Sequence, residues 1–122
     1  MTTTTRLLVS AAFLLSMTAF AEAPGDPSAG KAVFQQNCVI CHGNAGKGDG
    51  PAAAGLNPKP ANFSERLAST EDKQLKVVTN GGGAEKLSPL MPSFGDALSA
   101  QQIRDVVAFV RNDLAGLKTA KK

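Results

Sequence analysis

Cys38-Val39-Ile40-Cys41-His42 is the stretch on which the reading of this 122-residue chain turns. It spells C-x-x-C-H, the pattern through which a c-type haem is covalently attached. Two thiols add across the two vinyl groups of the porphyrin, and the neighbouring imidazole then faces the iron. Residues three and four apart share one side of a helical turn, so Cys38, Cys41 and His42 can all be aimed at a single haem. Three other chemistries use similar residues. A redox-active dithiol of the thioredoxin kind needs a preceding strand in a βαβ context, whereas Ser28 to Asn37 reads as helix. A structural zinc ion takes four ligands, and the chain offers two cysteines and one histidine. A disulfide across two intervening residues closes too small a loop to add much stability.

Working outward, the N-terminus resembles an export signal. Met1 to Arg6 is a short polar start with one positive charge, and Leu7 to Ala21 is an apolar run ending in Ala19-Phe20-Ala21, a small-x-small cleavage pattern. The run is shorter than the roughly 20 apolar residues of a membrane span. Residues 1–21 are therefore expected to be a cleaved signal peptide, with Ala23 as an alternative site, and 22–122 the mature domain. No cysteine lies near the new N-terminus to carry a lipid. The mature chain is expected to be soluble, periplasmic and monomeric.

The domain keeps only four of the six phenylalanines, Phe34, Phe63, Phe94 and Phe109, and the chain has neither Trp nor Tyr. That is a thin core for a domain of this size, which a buried porphyrin would fill. Glu22 to Pro27 reads as a lead-in. Ser28 to Cys41 reads as one helix, capped by Asp26 or Ser28, with Gly30, Val33 and Phe34 on one face. Gly30 suggests the close approach of a second helix. Gly43 to Gly55 holds five glycines and reads as an irregular loop; no strand or G-K-[ST] supports a phosphate cradle there. Thr70 caps a short helix to Asn80, with Leu75, Val77 and Val78 as its apolar face, ended by Gly81-Gly82-Gly83. Lys86 to Phe94, with Pro89 and Pro92, reads as extended. Ser99 and Gln102 form a capping box for the last helix, where Ile103, Val106, Val107, Val110 and Leu114 recur at helical spacing beside Phe109. Lys118 to Lys122 reads as a solvated tail. One C-x-x-C-H and no internal repeat imply one haem.

In the mature chain Met91 is the remaining methionine and His42 the only histidine. Met91 lies in Ser88-Pro89-Leu90-Met91-Pro92-Ser93-Phe94, where flanking prolines stiffen the backbone. It is the expected sixth ligand, against the alternative of a flexible core filler.

With these residues in view, the mature chain resembles the class I monohaem cytochromes c over essentially its whole length. The resemblance implies an all-α fold of three to four helices wrapped around one covalently attached haem, with the N- and C-terminal helices crossing. It implies attachment through Cys38 and Cys41 and axial ligation by His42 and Met91. Gly30 and Phe34 resemble the small and aromatic pair on the first helix, met by Phe109 from the last. Gly50-Pro51 resembles a Gly-Pro whose proline carbonyl accepts a hydrogen bond from the proximal imidazole. The Trp or Tyr that often stands near a haem propionate is missing. The stretch CHGNAGKGDGP is similar to small bacterial cytochromes that work with periplasmic oxidoreductases.

The function so implied is one-electron transfer without substrate chemistry, in a carrier rather than an enzyme. An alternative is a cytochrome subunit taking electrons from a periplasmic dehydrogenase or other oxidoreductase. An open-faced haem enzyme or gas sensor would need Met91 unligated. The expected partners are redox proteins that dock transiently. An apolar patch at the haem edge is expected from Ala45 and Ala52 to Ala54, rimmed by Lys31, Lys47, Lys59 and Lys86. The formal charge of +3, lowered by one unit with loss of Arg6, could steer an acidic partner. It gives no reason to expect nucleic-acid binding.

Overall fold

The structure, a computed structural model, describes residues 22–65 and 69–117. Residues 1–21, expected to be a signal peptide, and the Lys118–Lys122 tail lie outside the described residues. Among the described residues four α-helices occur in the order α1 (Pro27–Asn37), α2 (Val39–His42), α3 (Glu71–Asn80) and α4 (Ala100–Phe109). A 3₁₀ helix, Pro51–Gly55, follows α2, and a π-helical turn, Val110–Leu114, extends α4. The described residues form no strand, in agreement with the all-α expectation. No described helix is long and apolar enough to cross a membrane.

The fold rests on α1 lying against α4. A side-chain carbon on Gly30 would collide with the backbone carbonyl of Asp105 and come within 2.8 Å of the Val106 nitrogen, so only glycine permits this approach. Beside that contact, Phe34 and Phe109 pack with ring centroids 5.4 Å apart at 55°. Val33, Phe34, Val106, Phe109 and Val110 form the buried core, with Phe34 only 1 % exposed. Burial of one such ring is worth about 2–3 kcal/mol. The lead-in is fastened to the same place. Buried Asp105 accepts hydrogen bonds from the Asp26 backbone at 2.8 Å and from the Gln101 amide at 2.8 Å. Asp26 in turn caps α1 by accepting from Ser28 N at 2.8 Å.

The single helix expected over Ser28 to Cys41 is two. Cys38 N still closes α1 on the Phe34 carbonyl at 2.9 Å, but Cys41 N then bonds the Cys38 carbonyl at 3.2 Å, three residues back, so the helical ladder changes register there. Cys38 sits at the break with φ −118°, and α2 restarts at Val39. The Gly43–Gly55 segment is also more regular than expected. Pro51 supplies the fixed φ of a helix start, and the three alanines after it propagate a 3₁₀ turn.

Thr70 caps α3 through its hydroxyl, which accepts from Lys73 N at 3.2 Å. Ser99 and Gln102 form the expected reciprocal box at 2.9 and 3.1 Å. Lys73 ties α3 to the following loop, donating to Glu85 Oε2 at 2.9 Å and to its backbone carbonyl at 2.8 Å. The Lys73 bond to the carboxylate, joined by Asn80 Nδ2 on Glu85 Oε1 at 3.1 Å, holds the Glu85 carboxyl below its ordinary pKa.

Gly30→Ala should lower stability by about 2–3 kcal/mol through overpacking at the crossing, measured as a shifted denaturant midpoint with an unchanged slope. Glu85 has a depressed folded pKa, so its contribution is present above the unfolded carboxylate value and fades as pH falls through the folded one. Glu85→Gln should therefore lower the plateau of a stability–pH curve above the carboxylate range and flatten its acid limb, so that the two proteins converge at low pH.

Candidate haem site

The break at Cys38 sets the orientation of the motif. His42 N bonds to the Cys38 carbonyl at 2.8 Å and Gly43 N to the Val39 carbonyl at 2.9 Å, closing one tight turn. Val39 packs on the core while Ile40 is 61 % exposed. Cys38, Cys41 and His42 together line one wall of a large apolar cavity. Both thiols are free. Burial, reinforced by the neighbouring Cys41, pushes the Cys38 thiol up to about 11, so it stays protonated at neutral pH.

His42 is held from two sides. Its ring stacks on Phe63 at 4.8 Å and 19°, and Phe63 in turn meets Phe34 edge-on at 6.4 Å. The Ala61 carbonyl stands 3.4 Å from Nδ1. That carbonyl accepts only when Nδ1 carries the proton, which leaves Nε2 with its lone pair. Burial lowers the imidazole pKa, opposed by the Ala61 bond, and so favours the neutral ring. The resemblance assigned this second contact to the Pro51 carbonyl. Ala61 fills it here, because Pro51 opens the 3₁₀ helix while the chain returns over the imidazole at Pro60-Ala61. Phe63 N fixes that return on the Gly46 carbonyl at 2.8 Å, and Gly48 N bonds the His42 carbonyl at 2.9 Å.

Met91 lines the same cavity from the segment after α3. The stretch before it turns rather than running extended, with Met91 N on the Ser88 carbonyl at 3.2 Å and Leu90 N on Ser88 Oγ at 3.2 Å. Gly82 N donates to the Met91 carbonyl at 2.9 Å. A side chain at Gly82 would strike the Ser88 carbonyl and come within 3.0 Å of Met91 Cβ, so the glycine lets α3 end flush against this turn. Phe94 N and Gly95 N then bond the Val78 and Thr79 carbonyls at 2.9 and 3.0 Å, closing the loop on α3.

The remaining walls are apolar. Val77 and Val78 of α3 and Val106, Val107 and Val110 face the cavity, and Leu87 and Leu90 stand at its mouth, 44 % and 50 % exposed. The mouth differs from the expected alanine patch: none of Ala45, Ala52, Ala53 and Ala54 lines the cavity, and Ala53 is buried beneath the 3₁₀ turn. Of the four lysines expected at the rim, Lys59 lines the cavity. Among the described lining residues it alone carries a formal charge, and none is a carboxylate. No described cluster of three or more His, Cys, Asp or Glu side chains is gathered for a metal ion.

Two thiols, an imidazole with a free Nε2, a thioether and an apolar enclosure are the donor set that a covalently attached haem requires. Likeness to known proteins agrees with this fit. The cytochrome c family model matches residues 27–113. The chain is 39 % identical to the cytochrome c6 of Gloeothece citriformis over 70 % of each chain. It is 35 % identical over 76 % of its length to a subunit of nicotinate dehydrogenase from Pseudomonas putida, of which it spans 8 %. It is also 32 % identical over 67 % of its length to the cytochrome c subunit of a quinone alcohol dehydrogenase from Komagataeibacter europaeus, of which it spans 18 %. A motif that carries haem, an enclosure that fits it and a match across most of the chain converge: this protein belongs to the cytochrome c family of electron-transfer proteins that carry a covalently bound haem c.

Proposed function

We propose that this protein is an exported single-electron carrier in which Cys38 and Cys41 hold the haem and His42 and Met91 ligate its iron. The observation that carries this reading is that His42 and Met91, far apart in sequence, line one cavity. The haem, when bound, supplies a one-electron ferric/ferrous couple, and a thioether ligand raises its potential. The chain's own residues do the rest. Ala61 and Phe63 orient the imidazole, and its burial keeps it neutral, so Nε2 would be free to hold the iron. Gly82 and Ser88 fix the backbone that presents the Met91 thioether. Val77, Val78 and Val107 exclude water, which favours the state of lower charge at the iron. Leu87 and Leu90 present an apolar mouth at which a partner can approach, with Lys59 beside it. An export signal over residues 1–21 supports work in the periplasm, where the attachment chemistry is carried out, and the chain acts there as a monomer.

A second reading, a haem subunit held by a dehydrogenase, is favoured by the likeness to dehydrogenase subunits. Co-purification decides between the two. A free carrier leaves its partner at moderate salt, whereas a subunit stays through high salt.

Met91→Ala should abolish the far-red absorption band of methionine-ligated ferric haem while covalent haem remains on a denaturing gel. Survival of that band would reassign the sixth ligand. Cys38→Ala should lower covalent haem incorporation severalfold, read by haem staining against total protein.

A further inference from the structure

We propose that the side-chain amide of Gln74, positioned by Arg111, donates a hydrogen bond to a haem propionate at the α3 wall of the cavity. This rests on the haem occupying that cavity. A haem brings two carboxylates, and a carboxylate entering a mainly apolar enclosure needs donors or a cation close by.

The cavity offers few. Lys59, Ser69, Gln74 and Ser88 are its polar lining side chains besides His42 and the thiols, among the described residues. Gln74 is the one whose orientation is set by a charged group. Arg111, in the π-helical turn, donates through Nη1 to Gln74 Oε1 at 3.2 Å and to the Ser69 carbonyl at 3.0 Å. With the oxygen end of the amide engaged by the guanidinium, its Nε2 end is the donor left for the cavity.

The guanidinium retains charge for this work. Its Nε is buried without a hydrogen-bond partner. The Glu71 carboxylate stands 4.0 Å away, beyond hydrogen-bonding distance and half-exposed to water that screens it. A positive charge behind a polarised amide strengthens the amide as a donor to an anion. Gln74 thus contacts the propionate, and Arg111 acts through it.

A purely structural role would make the same contacts, since Arg111 also ties the π-helical turn to Ser69 and α3. Substitutions at Gln74 separate the two. Gln74→Glu keeps an oxygen for Arg111, and so keeps the tie, but replaces the donor with an anion. Gln74→Leu removes both ends. In the purified holoprotein, the propionate-bending band in the resonance Raman spectrum should shift in both variants. The midpoint potential should fall, more in Gln74→Glu. Arg111→Lys, which keeps the charge and loses the planar fork, should move the band in the same direction by less.

A band that stays at the wild-type position in both Gln74 variants, with covalent haem and the methionine signature intact, overturns the assignment. A band unmoved in Arg111→Lys removes Arg111 from it. Wild-type protein that carries no covalent haem would instead sink the reading on which it rests.

Discussion

The contact between Gly30 and the Asp105–Val106 backbone is the constraint from which the rest of the molecule is arranged. It sets how far α1 stands from α4, and therefore whether Phe34 can reach Phe109 and whether Phe34 and Val110 border the same cavity. Asp105 serves the crossing twice. Its backbone carbonyl is the surface against which Gly30 sits, and its carboxylate fastens Asp26, the cap of α1. A buried carboxylate is costly unless its lone pairs are used, and here they pin the start of one helix to the middle of the other.

The cavity is built from two separate stretches that reach it over that crossing. One is the turn from Cys38 to Phe63, which carries the thiols and the imidazole and folds back on itself through Gly46, Gly48 and Ala61. The other is the loop from Gly81 to Gly95, which carries Met91 and is laced to α3 at both ends. None of the residues of α3 is fully buried, and its Val77 and Val78 face the cavity. The apolar side of that helix is therefore shared between α4, against whose core Val78 packs, and the ligand space. A domain with so few aromatic residues gains much of its interior from whatever fills that space.

Much of this was legible in the sequence because it rests on local chemistry. The C-x-x-C-H motif, the caps at Asp26, Thr70 and Ser99, and a glycine in an otherwise apolar helix face each carry their reason within a few residues. What escaped depends on fine register or on distance. The break at Cys38 is a change of ladder register, with Cys41 N on the Cys38 carbonyl three residues back, and no residue type in the stretch announces it. The turn at Pro51 formed because three alanines follow the proline, a local signal that the surrounding glycines obscured. The carbonyl over His42 belongs to Ala61, nineteen residues downstream, and no spacing rule singles it out from Pro51. The leucines at the mouth escaped because an isolated leucine in a loop reads as buried as readily as exposed. The π-helical turn at Val110–Leu114 left no mark in a hydrophobic pattern that fits an ordinary α-helix equally well.

The two residues between the cysteines have opposite surroundings, and that has a practical consequence. Val39 is packed on the core and tolerates little change of shape. Ile40, 61 % exposed, faces water one residue from Cys41. It offers an anchoring point at which a thiol-free linker or an electrode tether can be installed next to the redox centre. Immobilisation there leaves the interior and the opposite, methionine-bearing wall of the protein unmodified.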